Sequence, residues 1–510
     1  MTISRDADTV RQKPLPRLKD LLSGLASVPE QDNMPVKGLA LDSRELVCGD
    51  AFVALAGAKQ HGLAHGEQAI SNGACAMIFD PAGNGQQLSE TMRHNVSSPV
   101  PMIAVENLGL KLGELAARFY DDPSRSMTVI GITGTNGKTS CSQFLSQMLD
   151  DCGIIGTLGW GEWGKLNKTL NTTPDALAIQ KILAELLKNK KRIVAMEVSS
   201  HGLEQGRVNG VAFKGAVFTN ISRDHLDYHG TMEAYVQAKL ALLKQPGLAF
   251  AVVNLDDVYS GQIIAAVPES VQLWTFSANG QASDSGESLQ AENIVHKTDG
   301  IEFDVHCKGQ TQRIKVPLYG DFNVENVLAV LAVMLAMDIP LAKAAKKLAG
   351  IKPVDGRMER FGTETDPLIF VDYAHTPDAL DKVLSSLRKH CKQALWVVFG
   401  CGGNRDTGKR PQMGKIAEQW ADHVVITDDN PRYENGLDIV NDILAGCNSD
   451  NVEVIQNREQ AIQKVVASAA KDDCIVIAGK GHEQYQESNG VCVPFSDRQV
   501  VMDALDRRNK

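Results

Sequence analysis

The sequence predicts an α/β protein of three domains built on mostly parallel sheets, and three observations carry that prediction. At 510 residues the chain has length for three domains, given roughly 150 residues in each. Short β-rich apolar runs alternate along it with longer helical patterns, the rhythm of parallel sheets crossed by helices. One of those runs leads straight into a glycine-rich turn and then a helical segment, as phosphate loops do.

The first block, residues 1–106, contains G-D-A-F-V-A-L-A-G at 49–57 and helix-like segments around Gly66 to Asn72, a small α/β unit. The second, 107–353, opens on a strand at 128–133 and has buried-looking strands at 193–198, 216–220 and 249–254. It ends in a helix from Asn323 to Met337. After the turn at Pro353 and Gly356 the third block, 354–510, runs through strands at 368–372, 394–399, 423–427 and 474–478. Glycines and charges follow those strands, as they do in open sheets that bind ligands at their strand ends.

Hydrophobic residues make up 43% and charged residues 22%, the balance of a folded globular chain. Lys and Arg number 52 against 62 Asp and Glu, a formal charge of −10, which argues against a nucleic-acid or anionic-membrane binder. Ten cysteines occur without a C-x-x-C pair and read as reduced thiols of a cytoplasmic protein. The N-terminus has no apolar signal region, and the longest apolar run, Val327 to Met337, is 11 residues. A spanning helix needs roughly 18 or more, so the run reads as a core helix and no membrane partner is expected.

The strongest chemical signal is V-I-G-I-T-G-T-N-G-K-T-S, residues 129–140. Small residues let the backbone N–H groups of Gly134, Thr135, Asn136, Gly137, Lys138 and Thr139 wrap an anion ahead of a helix expected from Cys141 to Leu149. Lys138 supplies charge for the β and γ phosphates, Thr139 offers a hydroxyl to Mg²⁺, and Ser140 closes the loop. The spacing is not the strict Walker pattern, which would place glycine where this chain has Ile132. Next, R-I-V-A-M-E-V-S-S-H-G-L puts Glu197 near a strand's C-terminal end, where the carboxylate of an ATP–Mg²⁺ site belongs; a solvated strand terminus is the plainer reading. N-I-S-R-D-H-L-D-Y-H-G then gathers His225, Asp227 and His229, with Lys239 ten residues on. Such histidines ligate a second Mg²⁺, orient phosphate, or are structural.

These motifs, with G-D-F-N-V-E-N, G-R-M-E, D-Y-A-H-T-P-D-A-L, G-C-G-G-N-R-D, D-D-N-P-R and A-G-K-G-H-E, resemble the Mur ligase family in order over nearly the whole chain. The resemblance is strongest to members that add the third residue of the peptidoglycan stem peptide. It implies a UDP-sugar domain, a P-loop-type ATPase domain and a Rossmann-like C-terminal domain for the incoming amino acid. It implies an ADP-forming amide ligase of cell-wall synthesis that uses ATP to join UDP-N-acetylmuramoyl-L-Ala-D-Glu and meso-2,6-diaminopimelate through an acyl phosphate, with Mg²⁺ as cofactor; the chain is expected to act as a monomer.

By the same resemblance Thr139 and Glu197 hold a first Mg²⁺, and His225 and Lys239, as a carbamate, a second; an unmodified Lys239 contacting phosphate stays open. Lys138, Glu197, His225 and Lys239 are then the catalytic set. Asn323 and Asn326 match the adenine-side pair, and Arg357 and Asp372 reach ATP from the third domain, an interdomain ion pair being the other reading of Arg357. Ser43, Thr172, Thr173, Ser199, Gln205 and Arg207 match contacts to the UDP-muramyl dipeptide. Arg405, Asp429, Asn430, Pro431, Arg432, Gly479 and Glu483 match the diaminopimelate site, where the Arg432 guanidinium can grip the carboxylate that lysine lacks. The chain departs from familiar relatives at Ala58 and Lys59, which carry no assignment, and at Pro174 in N-T-T-P-D. A lysine-adding or folylpolyglutamate-type ligase is the competing activity. A GTPase is disfavoured because the near match to N-K-x-D at 167–170 lacks the aspartate, and a non-catalytic nucleotide-dependent scaffold because Lys138, Glu197 and His225 are all present.

Overall fold

The computed structural model describes residues 14–57, 59–95, 100–169, 171–297, 299–363, 365–448 and 451–508. Ala58 of the variant turn and the N-terminal stretch 1–13 lie outside them. Packing divides the chain into two compact units, one of residues 1–126, 174–189 and 204–211, the other of 127–173, 190–203 and 212–510.

The smaller unit is built on a four-stranded parallel sheet in the order Leu39–Ala40, Ala51–Ala54, Ala76–Phe79, Met102–Ala104. Helix Leu108–Phe119 repeats its apolar residues at helical spacing, so that Leu108, Leu112, Leu115 and Ala116 share a core with Val53 and Ile78. Ala176 and Leu177 of helix Ala176–Lys188 enter that same core. The compact unit therefore runs past residue 106, and two later stretches of chain return to it.

In the larger unit an eleven-stranded sheet runs in the order Gln310–Val316, Gly300–Cys307, Glu287–Lys297, Gln272–Ser277, Phe250–Asn254, Phe213–Phe218, Thr128–Thr133, Ile193–Glu197, Cys152–Gly156, Gly159–Glu162, Lys165–Asn167. Its middle is parallel and its two ends are antiparallel meanders. The central strands are buried on both faces and read as unbroken apolar runs, which is why the sequence located them. The strand expected at 216–220 starts earlier, at Phe213, and ends at Phe218. Exposed Lys214 breaks the apolar pattern at its start, and Thr219 and Asn220 leave the ladder to bond the phosphate loop. Helix Asp321–Ala336 is apolar around most of its circumference, and its middle, from Val327 to Met334, is wholly buried in the core. Among the described residues no helix is long and apolar enough to cross a membrane.

A six-stranded sheet follows, in the order Glu359–Phe361, Leu368–Asp372, Cys474–Ala478, Leu395–Phe399, His423–Ile426, Val452–Val454, parallel but for its first strand. The last strand in sequence inserts beside the first long one. The C-terminal ends of Leu368–Asp372, Leu395–Phe399, His423–Ile426 and Cys474–Ala478 thus bring D-Y-A-H, G-C-G-G-N-R-D, D-D-N-P-R and G-K-G-H-E to one edge.

Under that edge Arg458 and Asp497, both with fully buried side chains, form a bidentate pair at 2.7 Å, and Arg458 Nη2 also donates to the Ala478 carbonyl at 2.8 Å. Asp497→Ala would strand a buried cation, and the expected cost is about 3–5 kcal/mol. Urea unfolding of the full chain checks it; a loss below about 1 kcal/mol, the level of a surface pair, would contradict the assignment.

Candidate active site

The phosphate loop follows strand Thr128–Thr133, and its helix, Lys138–Met148, starts three residues earlier than the apolar pattern suggests. Gly137, at φ +85°, is the N-cap, and a Cβ there would lie 2.5 Å from Asn326 Oδ1. At Gly134, φ +148°, a Cβ would lie 1.9 Å from Thr219 Oγ1. Only glycine fits either place, so the loop's shape follows from the sequence.

Lys138 Nζ donates to the carbonyls of Gly134 at 2.8 Å and Thr135 at 2.9 Å. Burial pulls its pKa below the usual lysine value, with Glu197 and Asp224 acting in the opposite direction. Glu197, fully buried, accepts from Thr139 Oγ1 at 3.0 Å, Thr157 Oγ1 at 2.9 Å, the Thr157 N–H at 3.0 Å and Ser142 Oγ at 3.4 Å. Lys239 is 1% exposed, lies 4.4 Å over the Tyr235 ring and donates to the Gly134 carbonyl at 2.9 Å. Burial, helped by the nearby Lys138 charge, drives its pKa well below 10.5.

The cleft in front of the loop is lined by Thr135 to Ser140, Thr157, Thr172, Asp224, His225, Asn326, Arg357 and Asp372, among others. His225, at φ +54°, contacts Asp224 at 3.4 Å; its side chain is nearly half exposed, and partial loss of solvent in the cleft lowers its pKa below the usual histidine value. Asp227 is exposed, and His229 instead meets Ser200 Oγ at 2.9 Å. Asn323 does not line the cleft. Its amide donates to the Tyr319 carbonyl at 2.7 Å and its Oδ1 takes the Asn326 amide at 3.1 Å, so it orients Asn326 from behind.

Two segments of the third block close the cleft. Arg357 stacks 4.3 Å over Tyr373 and points Nη2 toward Thr139 Oγ1 at 3.5 Å. Asp372 bonds the N–H groups of Met358 at 2.7 Å and Ala374 at 2.8 Å, and burial raises its pKa to about 6. Asp378, absent from the sequence assignment, accepts from Asn136 Nδ2 at 3.0 Å and Ser222 Oγ at 3.1 Å, joining the loop to helix Pro377–Arg388. His375 and Lys382 line the same wall. His375 lies inside the motif D-Y-A-H, so the signal for it was present.

Thr172 meets Thr157 at 3.0 Å, and Thr173 Oγ1 donates to the Glu197 carbonyl at 3.0 Å while accepting the Ser199 N–H at 2.9 Å. Ser43, Gln205 and Arg207 belong to the smaller unit, where Ser43 Oγ donates to Gln68 at 2.7 Å and Arg207 Nη2 to Gln205 at 2.6 Å.

At the strand ends of the six-stranded sheet, Asn430 Nδ2 donates to Glu483 Oε2 at 2.9 Å, and fully buried Lys480 bonds Asn430 Oδ1 at 2.9 Å and Glu483 Oε2 at 2.8 Å. Arg432 Nη1 donates to the Gly403 carbonyl at 2.8 Å. A Cβ at Gly479 would lie 2.6 Å from buried Asp429, and Pro431 is buried beside them. Arg405 is exposed, on the loop whose Gly403 N–H donates to the Asn430 carbonyl at 2.9 Å. Lys480 was legible in A-G-K-G-H-E but went unassigned.

Among the described residues no three His, Cys, Asp or Glu side chains gather into a metal cluster. The hard oxygen donors of Thr139 and Glu197 fit Mg²⁺ all the same, because that ion is usually held by one or two carboxylates together with substrate phosphates and water.

Three family descriptions match the chain: "Mur ligase family, catalytic domain" over residues 35–120, "Mur ligase middle domain" over 132–334 and "Mur ligase, glutamate ligase domain" over 356–481. The protein named UDP-N-acetylmuramoyl-L-alanyl-D-glutamate--2,6-diaminopimelate ligase in Alkalilimnicola ehrlichii is 44% identical over 96% of this chain and 98% of its own length. Its namesake in Pseudomonas aeruginosa is 46% identical over 92% and 95%. A solved structure carrying that same name is 35% identical, with TM-score 0.66, over 94% of this chain and 96% of its own. The MurF ligase from Thermotoga maritima in complex with ADP shares the fold at 18% identity and TM-score 0.63, over 94% and 99%. With its three domains, its phosphate loop and its near full-length relatives, the chain belongs to the Mur ligase family.

Proposed function

We propose that this chain joins meso-2,6-diaminopimelate to the D-Glu side-chain carboxylate of UDP-N-acetylmuramoyl-L-Ala-D-Glu, consuming ATP and releasing ADP and phosphate. The observation that carries this reading is that one cleft faces Lys138, Thr139 and Arg357 together. Those groups suit a transferring phosphoryl group, and the Asn430–Lys480–Glu483 cluster with Arg432 suits an amino acid bearing several charges.

The γ-phosphoryl passes to the carboxylate oxygen, the amine attacks the acyl carbon, and phosphate leaves as the amide forms. Lys138 and Arg357 offset the repulsion between phosphate and carboxylate as they approach. The wall formed by Tyr373, His375 and Lys382 keeps water from the acyl phosphate. Thr139 and Glu197 would hold one Mg²⁺ and His225 with a modified Lys239 a second, and bound Mg²⁺ neutralises the developing phosphoryl charge. Lys239 is suited to modification because burial disfavours its charged form. From the neutral amine, Nζ attacks the carbon of CO₂ and sheds a proton, which leaves an anionic oxygen donor in place of the lysine. Asn326 serves the adenine side, and Ser43, Thr172, Thr173, Ser199, Gln205 and Arg207 the UDP-muramyl dipeptide. The charge of −10 suits a protein acting on small molecules rather than on nucleic acid or an anionic membrane, and ten cysteines without a C-x-x-C pair suit the cytoplasm.

Phosphate release from ATP with the UDP-muramyl dipeptide, comparing meso-diaminopimelate with L-lysine at equal concentration, tests the reading. Release with diaminopimelate alone is expected; release with lysine alone keeps the ligase and overturns the specificity, and release with neither overturns both. Arg432→Lys replaces a planar fork by a point charge, and the expected loss in kcat/KM for diaminopimelate is about 10- to 100-fold, the worth of a charged hydrogen bond. A loss under twofold would remove Arg432 from the site.

A further inference from the structure

Arg432 sits under a hairpin that the sequence assignment does not include, formed by strands Tyr485–Ser488 and Val491–Pro494. The hairpin is stitched to the D-D-N-P-R loop along its backbone. The Arg432 N–H donates to the Glu487 carbonyl at 3.1 Å, the Glu487 N–H donates to Asn430 Oδ1 at 3.0 Å, and Gln486 Nε2 donates to the Asp429 carbonyl at 2.8 Å. Glu487 therefore has a fixed place beside the two residues best suited to grip an amino acid. Its side chain and that of Arg432 are 23% and 21% exposed, and Glu487 Oε2 lies 3.4 Å from Arg432 Nε.

The guanidinium is thus held at two points. The Gly403 carbonyl takes Nη1 at 2.8 Å, and Glu487 faces Nε. Gly402 leaves no room behind it, since a Cβ there would lie 2.8 Å from Nη1. The backbone of Arg432, at φ +53°, is itself set by the hairpin. Among the described residues nothing bonds the Nη2 side of the fork, which is oriented before any ligand arrives. A planar donor held in one orientation binds a carboxylate at lower entropic cost than a free one.

We infer that Glu487 is a positioning and specificity-determining residue of the amino-acid site, setting the Arg432 fork for a carboxylate at the far end of the incoming amino acid. Its effect runs through the Arg432 fork, so an end that carries a carboxylate gains from it and an end that carries only an amine does not. The inference rests on the proposed ligase reading and deepens it, because it names the residue that makes Arg432 selective.

The test compares the parent, Glu487→Ala and Glu487→Gln in the full chain, with phosphate release measured against meso-diaminopimelate and against L-lysine. Glu487→Ala is expected to lower kcat/KM for diaminopimelate about 10-fold, as loss of one charge-assisted contact does. The change should fall on KM for diaminopimelate, with kcat at saturation and KM for ATP unmoved, and phosphate release with lysine should stay at background in the parent and in both variants. Glu487→Gln, which keeps an acceptor for Nε, should recover at least half of the loss on a logarithmic scale. An unmoved KM for diaminopimelate, a fall in kcat alone, or no recovery in Glu487→Gln would reduce Glu487 to a hairpin-stabilising residue and overturn the inference. Parent protein that releases phosphate with neither amino acid would instead overturn the ligase reading, and that result comes from the parent arm alone.

Discussion

Lys138→Met is expected to reduce kcat by at least about 10³-fold, the scale on which a single charge aimed at a transferring phosphoryl group acts. Methionine keeps the length and apolar stem of lysine, so the loop should stay folded. The two carbonyls that Nζ now engages, Gly134 and Thr135, lie within the loop's own turn. Arg357 cannot replace the lost charge from the same side, because it approaches from the third domain over Tyr373. Rapid-quench measurement of ADP formation reads the chemical step, and thermal unfolding checks the fold. Turnover within tenfold of the parent would contradict the role given to Lys138.

Lys239→Met is expected to cost about 10²- to 10³-fold in kcat, comparable to loss of a group that directly stabilises the transition state. An unmodified lysine in this position brings a second positive charge close to Lys138, and burial already opposes that charge. Carbamylation removes the conflict by reversing the sign of the group. ¹³C NMR of parent protein in labelled bicarbonate should show a carbamate carbon that Lys239→Met lacks, and depletion of CO₂ should lower parent activity and leave the variant unmoved. Unchanged turnover in Lys239→Met, or no carbamate signal in the parent, would sink the assignment.

The parts of the molecule legible in the sequence are those where local chemistry decides. Gly134 and Gly137 admit no other residue, and the strands at 368–372 and 474–478 are apolar on both faces, so both loop and sheet could be read directly. The strands at 159–167 and 287–316 were missed because their residues alternate or stay half exposed, and a strand of that kind is defined by its neighbour. The same holds in the site. Thr157 gains its meaning from Glu197, 40 residues away, and Asp378 from Asn136, 242 residues away. Asn323 was read as a nucleotide contact because it shares a motif with Asn326; the helix turns it inward, onto the Tyr319 carbonyl.

The smaller unit is not continuous in the chain, and this has a consequence for how the protein is born. Its sheet is complete by Ala104, but the helix Ala176–Lys188 that shares its core emerges only after the phosphate loop has been synthesised. About 85 residues separate Ser126 from Val211, roughly 4 to 17 s of translation at ordinary ribosomal speeds. During that interval Leu108, Leu112 and Leu115 lack part of their cover, a window in which nascent chains offer apolar surface to chaperones or to each other. Arrest of translation before residue 174, and again far enough beyond residue 211 for that residue to clear the ribosomal tunnel, followed by limited proteolysis on the ribosome, should therefore show the first stretch passing from cleavable to resistant.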